Sequence, residues 1–225
     1  NYDVIDEAIA KTVEEFRKKG GLNEEPLKLV LERAKVGDLP LAFPGKIIAG
    51  ADRLFIADSN HNRIVVTKLD GTLVDTIGTG DAGAADGAFD KATFYRPQGM
   101  ALAGDNLYVA DTENHLIRRV DLKARTVETI AGTGQQSHEY FKTGPARTVA
   151  LSSPWDLQLA GRVLYIAMAG PHQIWQLDLD KNEVSTFAGS GREARLDGPL
   201  DKAGFAQPSG IATDGKTLYV ADSES

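Results

Sequence analysis

Apolar residues follow two different periods along this chain, and the change between them divides it. Near the start, Ile5, Ile9, Val13 and Phe16 recur every three or four positions, as on one face of a helix. Glu7/Lys11, Glu14/Lys18 and Glu15/Lys19 are spaced for ion pairs on the polar side, and Lys18-Lys19 lead into Gly20-Gly21, where the helix is expected to stop. From Leu22 to Pro40 the pattern fades into a linker, with a short Leu27, Leu29, Leu31 alternation that fits a strand. From Leu41 onward the apolar residues fall in short alternating or β-branched runs, the pattern of strands.

Those runs repeat. Pro44, Pro97, Pro154 and Pro208 are separated by 53, 57 and 54 residues. After each proline comes an apolar strand ending at a corner: Leu54 to Asp58, Leu107 to Asp111, Leu164 to Met168 and Leu218 to Asp222. A second strand follows at Arg63 to Thr67, Leu116 to Asp121 and Gln173 to Asp178. A third closes on a glycine pair at Thr76 to Gly80, Thr129 to Gly134 and Thr186 to Gly191, and a longer loop carries Gly87, Gly144 or Gly198 towards the next proline. Four short strands per unit is the signature of a propeller blade, whereas helical solenoids show helix-spaced apolar residues. The expected fold is therefore all-β: a partial β-propeller of about three and a half four-stranded blades, preceded by an α-helix and linker. Residues 1–40 form the helix and linker, and the repeats occupy 41–94, 95–151, 152–205 and a partial 206–225. Such an arc leaves strand edges open. The expectation is a segment of a longer chain, with a homo-oligomer completing the propeller as the alternative.

Composition narrows the chemistry. The 225 residues carry a net charge of −7, which disfavours nucleic acid and anionic membrane surfaces as partners. No apolar run is long enough to span a bilayer, so a soluble, cytoplasmic chain is expected. With no cysteine there is no disulfide, thiolate metal site or thiol nucleophile.

Phe43-Pro44-Gly45, Arg96-Pro97-Gln98-Gly99, the runs Leu54 to Ile64 and Leu107 to Asp121, and the glycine-pair loops ending in Asp-Gly and Ala-x-Phe resemble NHL repeats. The likeness extends over Leu41 to Ser225. It is greatest to the type in which a thioredoxin-like domain precedes a six-bladed NHL propeller. That resemblance implies that the first helix ends a thioredoxin-like domain, and that the repeats serve as a protein-binding module. It also points to the calcium-dependent lactonases and lyases that NHL propellers are similar to, and to the RNA binding that some NHL domains perform.

Meander geometry places the long loops, the corners and the repeat prolines on one face, and a protein or small-molecule partner is expected there. That face holds Gln98, Trp155 and Ser209 just after their prolines, with Asn62, His115 and His172 four residues past each corner. The corner residues Asp58, Asp111 and Asp222 are candidate calcium ligands, but their recurrence favours a structural part in which each accepts N–H bonds of its own tight turn. The third repeat departs from the rest, with Met168 at the corner and Trp155-Asp156 after the proline, and that pair is a candidate recognition site. Arg118-Arg119 with Lys123 and Arg125 are read as a solvated outer edge. No nucleophile, base and orienting group stand in sequence as a catalytic set, and the glycine pairs lack the lysine and helix of a phosphate loop. The expected role is a non-catalytic interaction module without a resident cofactor, calcium being the alternative.

Overall fold

A computed structural model describes residues 2–23, 25 and 39–224. They fall into two compact units, Asn1–Gly37 and Asp38–Ser225. In the first, helix α1 spans Tyr2–Lys18. It ends as its sequence dictates: Gly20 takes a left-handed φ of 65°, and the Gly20 and Gly21 amides donate to the carbonyls of Arg17 and Phe16. Lys18 and Lys19 pair with Glu14 and Glu15 one turn back. The Leu27, Leu29, Leu31 alternation lies outside the described residues.

The second unit is an arc of antiparallel sheets. Blade 1 comprises β1 (Ile47–Ala49), β2 (Arg53–Asp58), β3 (Arg63–Lys68) and β4 (Leu73–Ile77), hydrogen-bonded in chain order. The loop after β4 adds a short strand, β5 (Gly87–Ala88), to the outer edge of the next blade. Blade 2 then runs from the inside outwards through β6 (Pro97–Ala103), β7 (Asn106–Asp111), β8 (Leu116–Asp121) and β9 (Thr126–Ala131). The pattern repeats with β10 (Thr143–Pro145) on the edge of blade 3, whose strands are β11 (Pro154–Ala160), β12 (Val163–Met168), β13 (Gln173–Asp178) and β14 (Glu183–Ala188). A hairpin of β15 (Pro208–Thr213) and β16 (Leu218–Asp222) begins blade 4.

The core lies between blades rather than within them. Leu107 and Val109 of β7 pack towards blade 1 with Phe55, Ile64 and Ile77, while the alternate residues Tyr108 and Ala110 pack towards blade 3 with Leu164 and Ile166. Both faces of an internal blade are thus covered, which is why its second strand is apolar at successive positions from Leu107 to Ala110.

The corners show why three of them are aspartate. Asp58 accepts the Ala42 N–H at 2.7 Å, Asp111 accepts that of Tyr95 at 2.8 Å, and Asp222 accepts those of Ala206 and Gln207. Each carboxylate therefore reaches back 16 residues to the segment leading into its own innermost strand. This corrects the expectation that each would bond its own turn: neither Asp58 nor Asp111 makes a side-chain cap to the 3-10 turn that follows it.

Arg118 also departs from expectation. It is fully buried, not part of a solvated edge, and donates to Asp111 Oδ2 at 2.8 Å, Asp86 Oδ1 at 2.9 Å and the carbonyls of Thr93 and Ala85. One guanidinium thus ties β8, the corner and the long loop together. Burial pushes the Asp111 carboxyl up to about 6 against the pull of Arg118, Asn114 and the Tyr95 amide. In blade 3 the corner aspartate and this arginine are replaced by Met168 and Trp175, both buried, with Gln173 accepting the indole N–H at 3.0 Å. The same space is filled by an ion pair in one blade and by a largely apolar set in the other.

Asp111→Asn leaves Arg118 buried beside a neutral group and is expected to lower stability by about 3 kcal/mol. Chemical denaturation would check this, and a loss below about 1 kcal/mol would mean that Asp86 and the loop carbonyls suffice for Arg118.

Candidate functional site: the channel mouth

A repeat proline opens the innermost strand of blades 2, 3 and 4 and precedes β1 in blade 1, and two residues follow it in each. The second of these is Lys46, Gly99, Asp156 and Gly210 in successive repeats. Lys46 reaches across to donate to Asp156 Oδ2 at 3.3 Å and to the Ser209 carbonyl at 3.0 Å. Asp156 Oδ2 also accepts the Ile211 N–H at 3.0 Å, while Oδ1 accepts that of Leu157. A lysine of blade 1 and an aspartate of blade 3 thereby converge with the backbone of blade 4. Beside them lies a cavity of about 190 Å³ whose walls include Met100, Leu157, Gln158 and Ile211.

The intervening glycine is a steric requirement. A Cβ at Gly99 would stand 2.3 Å from the Asp156 Cα, so the neighbouring strands approach too closely for any side chain. A Cβ at Gly45 would likewise meet the Gln98 amide oxygen at 1.9 Å, which places the Gln98 side chain against blade 1. Asp156 and Ser209 are thus brought together through Lys46, and Gln98 and Trp155 occupy the equivalent position in their own blades. Trp155 is half-buried. Lys46 was missed by sequence reasoning, although a signal existed: opposite charges stand at one repeat position whose other two copies are glycine.

His115 and His172 lie elsewhere, at the seams between blades. Asn62, His115 and His172 all adopt left-handed φ values of 51°, 54° and 53°, a region that asparagine and histidine enter more readily than most residues. From there each side chain touches the lead-in segment of the next blade. Asn62 Oδ1 accepts the Arg96 N–H at 3.0 Å, His115 Nδ1 accepts the Ser153 N–H at 3.0 Å, and His172 Nδ1 meets the Ala206 carbonyl. Arg96 and Ser153 are themselves left-handed ahead of a proline, a strained geometry that these bonds help to hold. Corner hydroxyls add a second link, from Ser59 to the Pro97 carbonyl at 2.6 Å and from Thr112 to that of Pro154 at 2.7 Å.

The corner carboxylates do not meet one another. Asp58 is engaged by His61 and Arg63 at 2.9 Å, and Asp111 by Arg118. Among the described residues, no three His, Asp or Glu side chains form a group that could hold a metal ion.

These features define the class of protein: a β-propeller arc whose blades are joined by corner-to-loop bonds. Among solved structures, an auxiliary nutrient binding protein from Bacteroides thetaiotaomicron matches 76% of this chain and 42% of its own, with a TM-score of 0.57 and 18% identity. A gluconolactonase-like structure matches 82% of this chain and 57% of its own, with a TM-score of 0.55 and 14% identity. Both likenesses are of fold. The NHL repeat model matches residues 94–119, from the lead-in of blade 2 through its corner to β8. NHL repeat-containing protein 2 of Homo sapiens is 40% identical over 236 aligned residues, which cover 93% of this chain and 32% of that protein. The chain carries an NHL repeat and is similar over most of its length to this NHL-repeat protein, of whose length it spans about a third.

Because Nδ1 of His115 accepts a hydrogen bond, it must be unprotonated, and burial lowers the pKa of this imidazole below its ordinary value despite Glu113 nearby. The unfolded chain therefore takes the proton first, so this group's contribution to stability is present above about pH 6.5 and is lost as pH falls below it. His115→Asn, which copies Asn62, should keep the acceptor and flatten that part of the profile. Thermal melts of both proteins from pH 7.5 to 5 would check this, and parallel profiles would rule the histidine out as the cause. Gly99→Ala is expected to lower stability by about 2 kcal/mol or more through its clash with Asp156, readable in the same melts.

Proposed function

We propose that this propeller segment is a non-catalytic binding module whose partner, a protein segment or a small molecule, docks on the long-loop face around the channel mouth. The observation that supports this most directly is the division of labour among the polar side chains. The corner aspartates, His115 and His172 are engaged in holding blades to loops and to one another, which leaves no nucleophile and base assembled for chemistry among the described residues. At the channel mouth, by contrast, a cation, a carboxylate, the Gln98 amide and the half-buried Trp155 indole offer a small mixed surface beside a cavity. A thioredoxin-like domain preceding the propeller, implied by the resemblance to longer relatives, would make this module the recognition part of a larger protein.

Selection from a displayed peptide library against this chain tests the reading. Peptides that bind should lose about tenfold or more in affinity with Trp155→Ala or Gln98→Ala while the melting temperature stays within a few degrees. Unchanged affinity in both variants would sink the proposed site. Asp156 is unsuited to this test, since it also accepts the Ile211 amide and its loss would loosen blade 4.

The calcium- or zinc-dependent enzyme reading is served by fold neighbours such as the gluconolactonase-like structure and a streptogramin B lyase, which share the fold alone, and the RNA-binding reading is opposed by the net charge of −7. Calcium and zinc chloride are expected to leave the melting temperature unchanged. A rise on adding either metal, abolished by Asp111→Asn, would favour the enzyme instead.

A further inference from the structure

On the face opposite the long loops, blades 2 and 3 carry the same two turns with their charges exchanged. Arg162 of the β11–β12 turn and Asp180 of the β13–β14 turn form an ion pair at 2.9 Å. The counterparts of these residues in blade 2 are Asp105 and Lys123. The backbones correspond closely. The Leu122 N–H donates to the Asp105 carbonyl at 2.8 Å, as the Leu179 N–H does to that of Arg162 at 3.0 Å. Asp121 and Asp178 each accept the amides two and three residues further on. Yet Asp105 and Lys123 are not joined, and neither side chain has an ionic partner among the described residues. Both stand instead at the rim of a cavity of about 390 Å³ in the seam between blades 1 and 2.

The floor of this cavity is apolar, formed by Phe55, Leu102 and Leu122 of one packed cluster. At the next seam the same positions hold Tyr108, Leu159 and Leu179, and Ala103 stands where this seam has Gly50. Blade 1 therefore lacks a phenolic oxygen and a methyl group where the cavity opens. A Cβ at Gly50 would meet Leu102 Cδ2 at 3.3 Å and Phe55 Cε2 at 3.6 Å, so the absent methyl would lie on the floor itself. On the wall, Asp52 accepts two hydrogen bonds from Arg53, both at 2.9 Å, and that charge is already matched. Asp105 and Lys123 are the charges left for a guest.

We infer that this cavity is a binding site for a free α-amino acid with an aromatic or large aliphatic side chain. The side chain covers Phe55, Leu102 and Leu122, the ammonium group meets Asp105, and the carboxylate meets Lys123. The guest's chemistry follows from the comparison between blades. In blade 3 an anion and a cation on these turns satisfy each other, whereas in blade 2 the same two signs are held apart over an apolar floor, and a zwitterion supplies the complement of both. Either rim charge alone contributes little, because it is exposed, but the two act together with burial of the apolar side chain. A residue inside a peptide carries neither charge and a terminal residue carries one, so polypeptide fits less well. The volume lies in the range of small-molecule sites. This cavity is on the opposite face from the channel mouth, and the inference does not rest on the function proposed there.

Titration with L-phenylalanine, followed through the backbone amide resonances of the isotope-labelled chain, tests this. The amides of Gly50, Gly104 and Lys123 should shift and saturate, while those of Gly99 and Gly210 at the channel mouth stay in place. N-acetylphenylalanine and phenylalaninamide, which each lack one of the two charges, should bind about tenfold more weakly. Asp105→Arg combined with Lys123→Asp copies the closed pair of blade 3 and should remove the saturable shifts while the melting temperature stays within a few degrees. Gly50→Ala copies Ala103 and leaves both turns untouched, so it keeps the test decisive if the exchanged pair disturbs folding, and it should weaken binding about tenfold. No saturable shift up to about 20 mM phenylalanine would overturn the proposal. So would shifts confined to the channel mouth, equal binding of the three compounds, or undiminished binding in both variants.

Discussion

An isolated four-stranded blade has two apolar faces, and only neighbouring blades can cover them. Burial between blades is the constraint on which the rest of this structure depends, because at roughly 25 cal/mol per Å² each sealed face outweighs any single hydrogen bond near it. It explains why Leu107 to Ala110 is apolar throughout, with successive side chains assigned to different seams. It also makes the fold additive, so that each blade is stable to the extent that its neighbours are in place.

Polar side chains in this arrangement align blades rather than supply the bulk of the stability. A corner aspartate fixes the segment leading into its own blade, and the residues one and four positions beyond it fix the next blade's lead-in. Together they set the spacing between adjacent sheets, which hydrophobic contact alone would leave free to slide. Blade 3 shows how far the scheme can be varied. Met168 and Trp175 take the place of a buried carboxylate and guanidinium, in keeping with the near balance between desolvation and attraction in a buried ion pair. The seam persists because the loss of the corner carboxylate leaves no unpaired charge behind.

Asymmetry among the repeats is what gives the molecule a candidate site. A ring of identical blades would present the same residue four times around the channel. Here the equivalent positions hold Lys46, Gly99, Asp156 and Gly210, so that one charged pair spans the middle and the glycines make room for it. Gly99 shows the logic: it is small because Asp156 packs on it, and Asp156 can sit there because it also caps the Ile211 amide.

Much of this was determined by the sequence alone. Proline spacing, alternating strands and glycine-pair loops specify blades, since the period of two and the turn chemistry are local properties that the residues carry with them. The long-loop face followed from meander geometry without coordinates. The partners of the polar side chains did not follow. That Asp58 serves Ala42, that His115 receives Ser153, and that Lys46 reaches Asp156 and Ser209 depends on residues 16, 38, 110 and 163 positions apart. Arg118 was misplaced for the same reason: a charge on an alternating strand looks solvated until the long loop folds over it with Asp86 and two carbonyls. Local pattern decided the elements because strand and turn preferences act between near neighbours. The tertiary structure decided which polar groups meet, because that depends on how far each blade is turned and shifted against the next, which is settled only when the seams between them are packed.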